Sequence, residues 1–401
     1  MKKEIYLDNA ATTKPDQEVV KVVCDAMTEL YGNPSSMYRV GHEAKMALDE
    51  ARERVAKIIG AQRPDEILFT AGGTESDNIA ILGVARAYKE KKKHIITTKI
   101  EHHAVLHPCE KLEKEGFDVT YINVDRYGMV KAEDVKNALR EDTVLVSVMY
   151  ANNEIGTIEP LAEIAEVIKK FREENKTPFP YFHTDACQAS GYLDLNVEKI
   201  GVDLMTLNGS KVCGPKGVGI LYSKFGIRME PLIYGGGQEK NIRSGTENLP
   251  AILGFVKALE IAEEKKEAES KRLWKLNKRL TDGILKNIEK TFLNGHPEKR
   301  LPNNVNVTIL DIEGEALILY LDSEGIYTST GSACTSGSLD PSHVILATGL
   351  PYEAAHGSLR FTMGKDTTEE DLDHVIKVLP GIVENLRRIS PTKVDMSKLK
   401  L

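Results

Sequence analysis

The segment that decides the fold runs from Asp203 to Tyr222 and reads DLMTLNGSKVCGPKGVGILY. Two strand-like runs, Asp203–Thr206 and Gly217–Tyr222, enclose a glycine-rich turn that carries Lys211. Glycine lets a ligand approach the backbone closely and exposes backbone N–H groups. A lysine in such a turn can form a Schiff base when burial or a neighbouring cation lowers its pKa. The alternative is an ordinary surface lysine in a loop.

Around this turn, short β-branched runs alternate with charged amphipathic stretches such as Leu161–Asn175. The further strand-like runs are Ile67–Thr70, His94–Ile100, Val119–Val124, Thr143–Tyr150 and Tyr181–Thr184. Such alternation predicts an α/β fold, with βα units around a mostly parallel sheet and helices on both faces. From Ala251 to Lys290 a long amphipathic helical stretch indicates a seam between a large domain and a smaller C-terminal α+β domain.

Length and composition exclude several classes of protein. The 401 residues are enough for about two or three domains, and 41% hydrophobic residues are too many for a disordered chain. A net charge of −7 argues against nucleic acid as the main partner. No apolar run reaches the ~18 residues of a membrane span, and Asp8 and Asn9 interrupt any signal-peptide core, so we expect a cytoplasmic protein. Five scattered cysteines without a CxxC pair indicate neither a disulfide framework nor a metal site.

Two polar residues follow the strand-like run Tyr181–Thr184. Asp185 comes at the end of this run, where open α/β sheets bind their ligands. A carboxylate there can hold a protonated ring nitrogen and make a heteroaromatic ring a better electron sink. Gln188 could donate a hydrogen bond to the same ligand. The alternative is a simple helix cap, for which aspartate is also common.

The segment Ala71–Asn78, AGGTESDN, follows the run Ile67–Thr70 and opens a predicted helix. Small residues at a helix N-terminus present unpaired N–H groups and the positive end of the dipole. This arrangement suits a phosphate, with the Thr74 hydroxyl as an added donor. An ordinary capped helix start is the alternative.

The segment Thr328–Ser338 contains only Gly, Ala, Ser and Thr apart from Cys334. A cysteine among such small, polar neighbours is accessible and can act as a nucleophile once its thiolate forms. Burial is the usual state of a free cysteine, and it fits these neighbours badly. We therefore expect Cys334 to be reactive.

Arg360 stands alone in the otherwise apolar run Ser358–Gly364 and needs an anionic partner there. That partner is either a bound carboxylate, held by two hydrogen bonds, or a structural ion pair. The cluster of His102, His103 and His107 lacks carboxylate or cysteine ligands at suitable spacing, so we do not expect a metal. Neighbouring residues on a strand point to opposite faces, and one of the first two histidines is expected to face a ligand.

In this order, these segments resemble the cysteine desulfurases of the NifS/IscS type, which are pyridoxal 5'-phosphate (PLP) enzymes of fold type I in the class V aminotransferase superfamily. The similarity extends through nearly the whole chain. Its further motifs are Tyr6–Thr13 (YLDNAATT), Gly32–Ser36 (GNPSS), Glu101-His102, Asn152–Gly156 (NNEIG), Gly235–Glu239 (GGGQE), Arg243–Asn248 (RSGTEN) and Gly331–Gly337 (GSACTSG).

The resemblance implies a role for each matching residue at the ring of PLP. Lys211 would hold PLP covalently and shuttle protons. His102 would stack on the pyridine ring and help in acid/base steps. Asp185 would pair with the pyridine nitrogen, and Gln188 with the ring hydroxyl oxygen.

The resemblance also implies the residues at the two ends of the site. The phosphate would be bound by Gly73, Thr74, Asn208 and Ser210, and by Thr246 from the other subunit of a homodimer. Asn153 and Arg360 would bind the carboxylate of L-cysteine. Cys334 would accept the sulfur as a persulfide, leaving L-alanine, and pass it to an acceptor such as an iron–sulfur cluster scaffold. The family spacing of 26 residues between this cysteine and the arginine is also found here, since 360 − 334 = 26.

Three motifs depart from the family pattern, at four positions. The usual Ser-x-His-Lys is Asn208-Gly-Ser-Lys211 here, so two phosphate contacts are altered, although the Asn208 amide and the Ser210 hydroxyl can donate hydrogen bonds. The usual alanine is Gly73, and the usual histidine after the GNPSS motif is Tyr38. The alternatives to a desulfurase are a selenocysteine lyase, another class V β-eliminase, or a catalytically weak sulfur-relay or scaffold partner.

The resemblance also divides the chain. It implies a large PLP-binding domain over residues 14–255. Residues 1–13 and 256–401 would form the small domain, with a catalytic cysteine loop at about 328–340.

Overall fold

The computed structural model of the chain describes residues 3–331, 340–390 and 393–394. Within these ranges the strands are β1 (Ile5–Tyr6), β2 (Ile67–Thr70), β3 (His94–Thr98), β4 (Asp118–Ile122), β5 (Thr143–Ser147), β6 (Tyr181–Asp185), β7 (Leu204–Asn208), β8 (Gly219–Ser223), β9 (Thr291–Leu293), β10 (Asn304–Ile309), β11 (Ile326–Tyr327) and β12 (Ser358–Thr362). The helices are α1 (Gln17–Glu29), α2 (Arg39–Ile59), α3 (Gly73–Asn78), α4 (Val84–Ala87), α5 (His103–Lys114), α6 (Ala132–Ala138), α7 (Leu161–Asn175), α8 (Val197–Ile200), α9 (Leu249–Asn287), α10 (Gly314–Ser323), α11 (His343–Ala347), α12 (Tyr352–Ala355) and α13 (Glu369–Ile389).

A seven-stranded sheet forms the centre of the fold, in the order β2-β8-β7-β6-β5-β3-β4. Strand β8 runs antiparallel to both of its neighbours, and the pairs from β7 to β4 are parallel. Every residue of β3 and β5 is buried, as expected for parallel strands covered on both faces. The predicted mostly parallel sheet is therefore confirmed.

The strand-like runs of the sequence form this sheet with small shifts at their ends. The run Ile67–Thr70 is β2 without change, whereas the run Thr143–Tyr150 ends as a strand at Ser147. Beyond that point Val148 and Tyr150 still donate backbone hydrogen bonds to carbonyls of β6, at 3.1 and 2.9 Å. The predicted helix Leu161–Asn175 is α7 with the same bounds.

A second hydrophobic core lies in the C-terminal part of the chain. It surrounds an antiparallel sheet in the order β12-β10-β9, and a parallel pair of β1 with β11 lies beside it. Helix α9 joins the two cores, since Phe255 packs with the central sheet and Leu280 with the second core. The boundary predicted near residue 255 falls inside this helix, and the division into domains stays a prediction.

Helix α9 begins where its sequence favours a helix start. The side chain of Asn248 accepts a hydrogen bond from the backbone N–H of Ala251, and Pro250 occupies the first turn, where its missing N–H costs nothing. Among the described residues, the helices are too short or too polar to cross a bilayer.

Phe255 offers a test of the first core. Phe255→Ala is expected to lower the free energy of unfolding by about 3–5 kcal/mol, because a fully buried ring is lost and a cavity remains. Leu285→Ala, on the same helix but 38% exposed, should cost less than about 1 kcal/mol. Urea denaturation of both variants measures the difference, and equal losses would contradict the assignment of Phe255 to the core.

Candidate functional site

A cleft of about 250 Å³ opens where β5, β6 and β7 end. Parallel strands end at the same edge of a sheet, so residues that follow them in sequence meet there. The cleft brings together most of the predicted site residues, namely Gly73, Thr74, His102, Asn153, Asp185, Gln188, Asn208, Ser210, Lys211 and Arg360. It also contains residues that sequence reasoning missed, namely Ala10, Ala11, Asp77, Met149, Ala151 and Cys187.

Lys211 lies in a single 3₁₀ turn directly after β7. Its Nζ donates hydrogen bonds to the carbonyl oxygens of Ala10 and Ala11, at 2.7 and 2.6 Å. The Gln188 side-chain amide donates to the same Ala10 carbonyl at 3.0 Å. The lysine therefore faces the cleft, and the alternative of a surface lysine in a loop is wrong.

Close packing of the backbone fixes this turn. A Cβ added to Gly209 would stand 2.8 Å from the carbonyl oxygen of Pro215 and 2.9 Å from a methyl carbon of Val218. No side chain fits at that distance, so glycine is required there. The Asn208 side chain stabilises the turn by accepting hydrogen bonds from the backbone N–H and the hydroxyl of Ser210, at 3.2 and 3.3 Å.

The predicted phosphate-binding end of the cleft is the start of α3. This helix follows β2 and begins at Gly73, as the sequence predicts, and Thr74 lines the cleft. A Cβ on Gly73 would meet the Cys187 sulfur at 2.9 Å and the Asn208 amide nitrogen at 3.5 Å. Gly73 therefore leaves room for the Cys187 thiol, whereas the Asn208 amide lies at an ordinary contact distance.

Three buried carboxyl groups lie close together beneath the cleft. Asp185 ends β6, and its Oδ1 accepts a hydrogen bond from the backbone N–H of Cys187 at 2.9 Å. Burial, reinforced by the charge of Asp185, raises the pKa of Asp77 well above its usual value. Burial likewise raises the pKa of Glu101 to about 8. Burial next to Asp185 thus disfavours the ionised form of both Asp77 and Glu101.

Among the described residues, the ion-pair contact found for Asp77 is with a histidine. The Nε2 of His183 is 3.6 Å from Asp77 Oδ1, but burial lowers the pKa of this histidine to about 4, so its ring is neutral. The ring is instead held by the hydroxyls of Ser147 and Thr206, at 2.8 and 3.2 Å. Oδ1 of Asp77 has no hydrogen-bond partner among the described residues.

His102 is the histidine that reaches the cleft, as predicted for one of the neighbouring pair. Its Nδ1 accepts a hydrogen bond from the backbone N–H of Ala104 at 3.1 Å, which caps α5 and places the proton of the neutral ring on Nε2. His103 instead packs against the rings of His107 and His343, with centroids 4.9 and 4.7 Å away. Within the described ranges, no cluster of His, Cys, Asp and Glu is arranged to hold a metal ion.

Arg360 lies in β12 at the other end of the cleft and is 1% exposed. It donates to the Asn153 carbonyl at 2.9 Å and forms an ion pair with Asp8 at 2.7 Å. Its Nε has no hydrogen-bond partner within the described ranges. The structural ion pair that the sequence left open is therefore present, and one N–H of the guanidinium stays available for a bound anion.

Two predicted residues lie elsewhere. Thr246 is exposed and does not line the cleft of its own chain. Cys334 lies outside the described residues. The missed residues Asp8, Ala10 and Ala11 belong to the quoted motif YLDNAATT, which could have indicated them. Asp77 lies one turn beyond Thr74 and carried no separate signal in the sequence.

Comparison with known proteins shows the family of the chain. A model of the family "Aminotransferase class-V" matches residues 5–375. The chain belongs to this family. The cysteine desulfurase IscS of Methanosarcina thermophila is 53% identical to it, over 97% of this chain and 94% of that protein. The cysteine desulfurase IscS of Dictyoglomus turgidum is 51% identical, over 98% of each chain.

A solved structure agrees with these sequence relatives. A NifS-like protein has a TM-score of 0.89 and 39% identity, over 96% of this chain and 100% of that one. This class-V family member is therefore an enzyme of the cysteine desulfurase type. The predicted family, enzyme class and fold type are confirmed, whereas the roles of the single residues stay predictions.

Glu101 predicts how the stability of this desulfurase depends on pH. Its pKa is about 8 in the folded chain and 4.5 in a free side chain, so folding favours the protonated form. The contribution of Glu101 to the stability of the folded chain is fully present below about pH 4.5 and is lost as the pH rises to about 8. Glu101→Gln, which cannot ionise, should flatten the fall in unfolding free energy over this interval, as measured by denaturant titrations at several pH values.

The control is Glu110→Gln, an exposed carboxyl of α5. It should leave the pH dependence as in the wild type. A Glu101→Gln profile as steep as that of the control would mean that Glu101 is already ionised in the folded chain.

Proposed function

We propose that this enzyme uses PLP to convert L-cysteine to L-alanine and transfers the sulfur to Cys334 as a persulfide. The observation that carries the proposal is the placement of Lys211 and Asp185 in one cleft, with Arg360 at its far end. The amine matches the aldehyde of PLP, and the buried carboxylate matches its ring nitrogen. The guanidinium matches the carboxylate of an amino-acid substrate.

The donor set of the cleft fits PLP. Lys211 Nζ provides the amine for the aldehyde, and Asp185 provides the anion for the ring nitrogen. The start of α3 with Thr74, together with the polar side chains of Asn208 and Ser210, provides uncharged donors for the phosphate. The raised pKa of Asp77 agrees with this assignment, because a second anion beside Asp185 would oppose one protonated nitrogen with two charges.

When bound, PLP would supply an electron sink for the bonds broken at the substrate α-carbon. The residues of the chain then bind, orient and move protons. Asp185 keeps the ring nitrogen protonated. Lys211 Nζ, held over the cleft by two carbonyl oxygens, takes and returns the α-proton. His102 has its proton on Nε2 and can donate it inside the cleft.

The free N–H of Arg360 and the side chain of Asn153 would bind the substrate carboxylate. The thiolate of Cys334 attacks the substrate sulfur, so that an S–S bond forms as the Cβ–S bond breaks. The electron pair of that bond stays with the substrate Cβ, which takes up a proton. The remaining substrate is then released as alanine.

The remaining predictions belong to the same proposal. The exposed position of Thr246 agrees with a contact to the phosphate site of a second copy in a homodimer. The sulfur acceptor would be a protein such as an iron–sulfur cluster scaffold, and the enzyme would work in the cytoplasm. The large domain would span residues 14–255, and the small domain residues 1–13 and 256–401.

Lys211→Ala should abolish covalent attachment of PLP, because it removes the amine that reacts with the aldehyde. Borohydride reduction of the PLP-loaded protein, followed by mass spectrometry, should label the wild type at residue 211 and leave the variant unlabelled. Lys216→Ala changes an exposed lysine of the same loop and should be labelled as the wild type is. A labelled Lys211→Ala protein would show that another lysine holds the cofactor.

Cys334→Ala should stop sulfide release from L-cysteine in the presence of a reductant while PLP binding persists. Removal of the nucleophile takes away the sulfur acceptor and leaves the cofactor cleft unchanged. Cys24→Ala, which removes an exposed cysteine of α1, is the control with wild-type rates. Full sulfide release from L-cysteine by Cys334→Ala would favour a β-eliminase, and selenide release from L-selenocysteine alone would favour a selenocysteine lyase.

A further inference from the structure

One buried carboxylate stands between the two ends of the segment that carries Cys334. Glu154 is 1% exposed and accepts a hydrogen bond from the Ser342 hydroxyl. A Cβ added to Gly331 would stand 2.8 Å from Glu154 Oε2 and 3.5 Å from the Ser342 Cβ. Gly331 and Ser342 therefore converge on the same carboxylate, although they are eleven residues apart, since 342 − 331 = 11.

Each end is also fixed to an element of the fold. On the first side, Ser329 and Arg360 exchange backbone hydrogen bonds at 2.6 and 3.2 Å, and the Ser358 hydroxyl donates to the Thr330 carbonyl at 2.8 Å. On the second side, the Ser342 hydroxyl oxygen caps α11 by accepting from the N–H groups that begin this helix, at 3.1 and 3.2 Å. The segment between them thus starts beside Arg360 and ends at a capped helix.

Glu154 itself is held in place. Its N–H donates to the Asn152 side chain at 2.8 Å, and its carbonyl accepts from the side chains of Asn304 and Asn306, at 3.1 and 3.0 Å. It directly follows Asn153, whose carbonyl binds Arg360. A single short stretch of chain therefore contacts both the substrate end of the cleft and the two ends of the Cys334 segment.

We propose that Glu154 is a positioning residue that fixes both ends of the Cys334 segment relative to Asn153 and Arg360. This inference rests on the proposed function, since it assigns Cys334 as the sulfur acceptor. Burial of a carboxylate is costly unless hydrogen bonds satisfy it, so a side chain with only a packing role would be apolar here. Glu154 does not line the cleft, and it acts through Ser342 and Gly331.

The first test uses Glu154→Ala, Glu154→Gln and Ser342→Ala in the PLP-loaded protein. Glu154→Ala and Ser342→Ala should slow persulfide formation on Cys334 by about 10- to 100-fold, because small displacements of a reacting group are costly. Glu154→Gln keeps an oxygen acceptor for Ser342 and should retain most of the wild-type rate. L-cysteine affinity, read from the cofactor absorbance in a Cys334→Ala background, should change less than about twofold.

The second test needs no activity. Iodoacetamide labels Cys334 and the exposed Cys24, and mass spectrometry of the two peptides gives the ratio of their rates. Glu154→Ala should raise this ratio and Glu154→Gln should not. Gly331→Ala should alter the ratio in the wild-type background but much less in Glu154→Ala, where the added Cβ no longer meets a carboxylate.

The outcomes are distinct. Persulfide rates within about twofold of wild type in both Glu154→Ala and Ser342→Ala would overturn the inference. An equal loss of L-cysteine affinity, or a loss of persulfide rate in Glu154→Gln as large as in Glu154→Ala, would overturn it as well. So would effects of Gly331→Ala and Glu154→Ala on the labelling ratio that simply add. If the wild type formed no persulfide, the proposed function would fail, while the labelling ratios would still decide whether Glu154 fixes the segment.

Discussion

The site depends on one short stretch of chain, Leu7–Thr13, that forms hydrogen bonds to residues of both hydrophobic units. Its Asp8 carboxylate pairs with Arg360 of β12 at 2.7 Å, which belongs to the second core. Two residues later, the Ala10 carbonyl accepts from Lys211, which follows a strand of the central sheet. The distance between the amine and the guanidinium is therefore set by a few residues of backbone. A cleft that must hold both ends of one small molecule needs such a fixed span.

The electrostatics of the cleft depend on three buried carboxyl groups, because burial disfavours their ionised forms. Asp185, Asp77 and Glu101 lie so close that three buried anions would repel one another strongly. His183 beneath them is neutral, so the protein supplies no compensating cation from that side. Burial therefore raises the pKa of both Asp77 and Glu101 beneath the cleft. The negative charge that three acids could contribute there is reduced by their depth of burial.

The sequence predicted those features that depend on local pattern or on strand ends. The helix Leu161–Asn175 follows from its own periodicity. Asp185 was found because it ends a strand of the sheet, and Lys211 because it lies in the turn that follows one. Asp77 and Glu154 were missed, since their surroundings come from segments far away in sequence. The contact of Glu154 with Ser342 spans 188 residues, and no local pattern encodes such a distance. The roles of the site residues were inferred from the resemblance, whereas the structure shows that most of these residues lie in one cleft.

Three positions that depart from the family pattern, 73, 208 and 210, lie close together at the predicted phosphate end of the cleft. A Cβ at position 73, as in the usual alanine, would lie 2.9 Å from the sulfur of Cys187. Such an approach requires a shift, and the neighbouring backbone of Asp185 and Cys187 is already fixed by a hydrogen bond. The Asn208 amide nitrogen would be 3.5 Å from the same Cβ, which is an ordinary contact distance, and the Asn208 side chain also binds Ser210. An alanine at position 73 would therefore strain the pocket through the buried Cys187 thiol and not through the altered residues at 208 and 210.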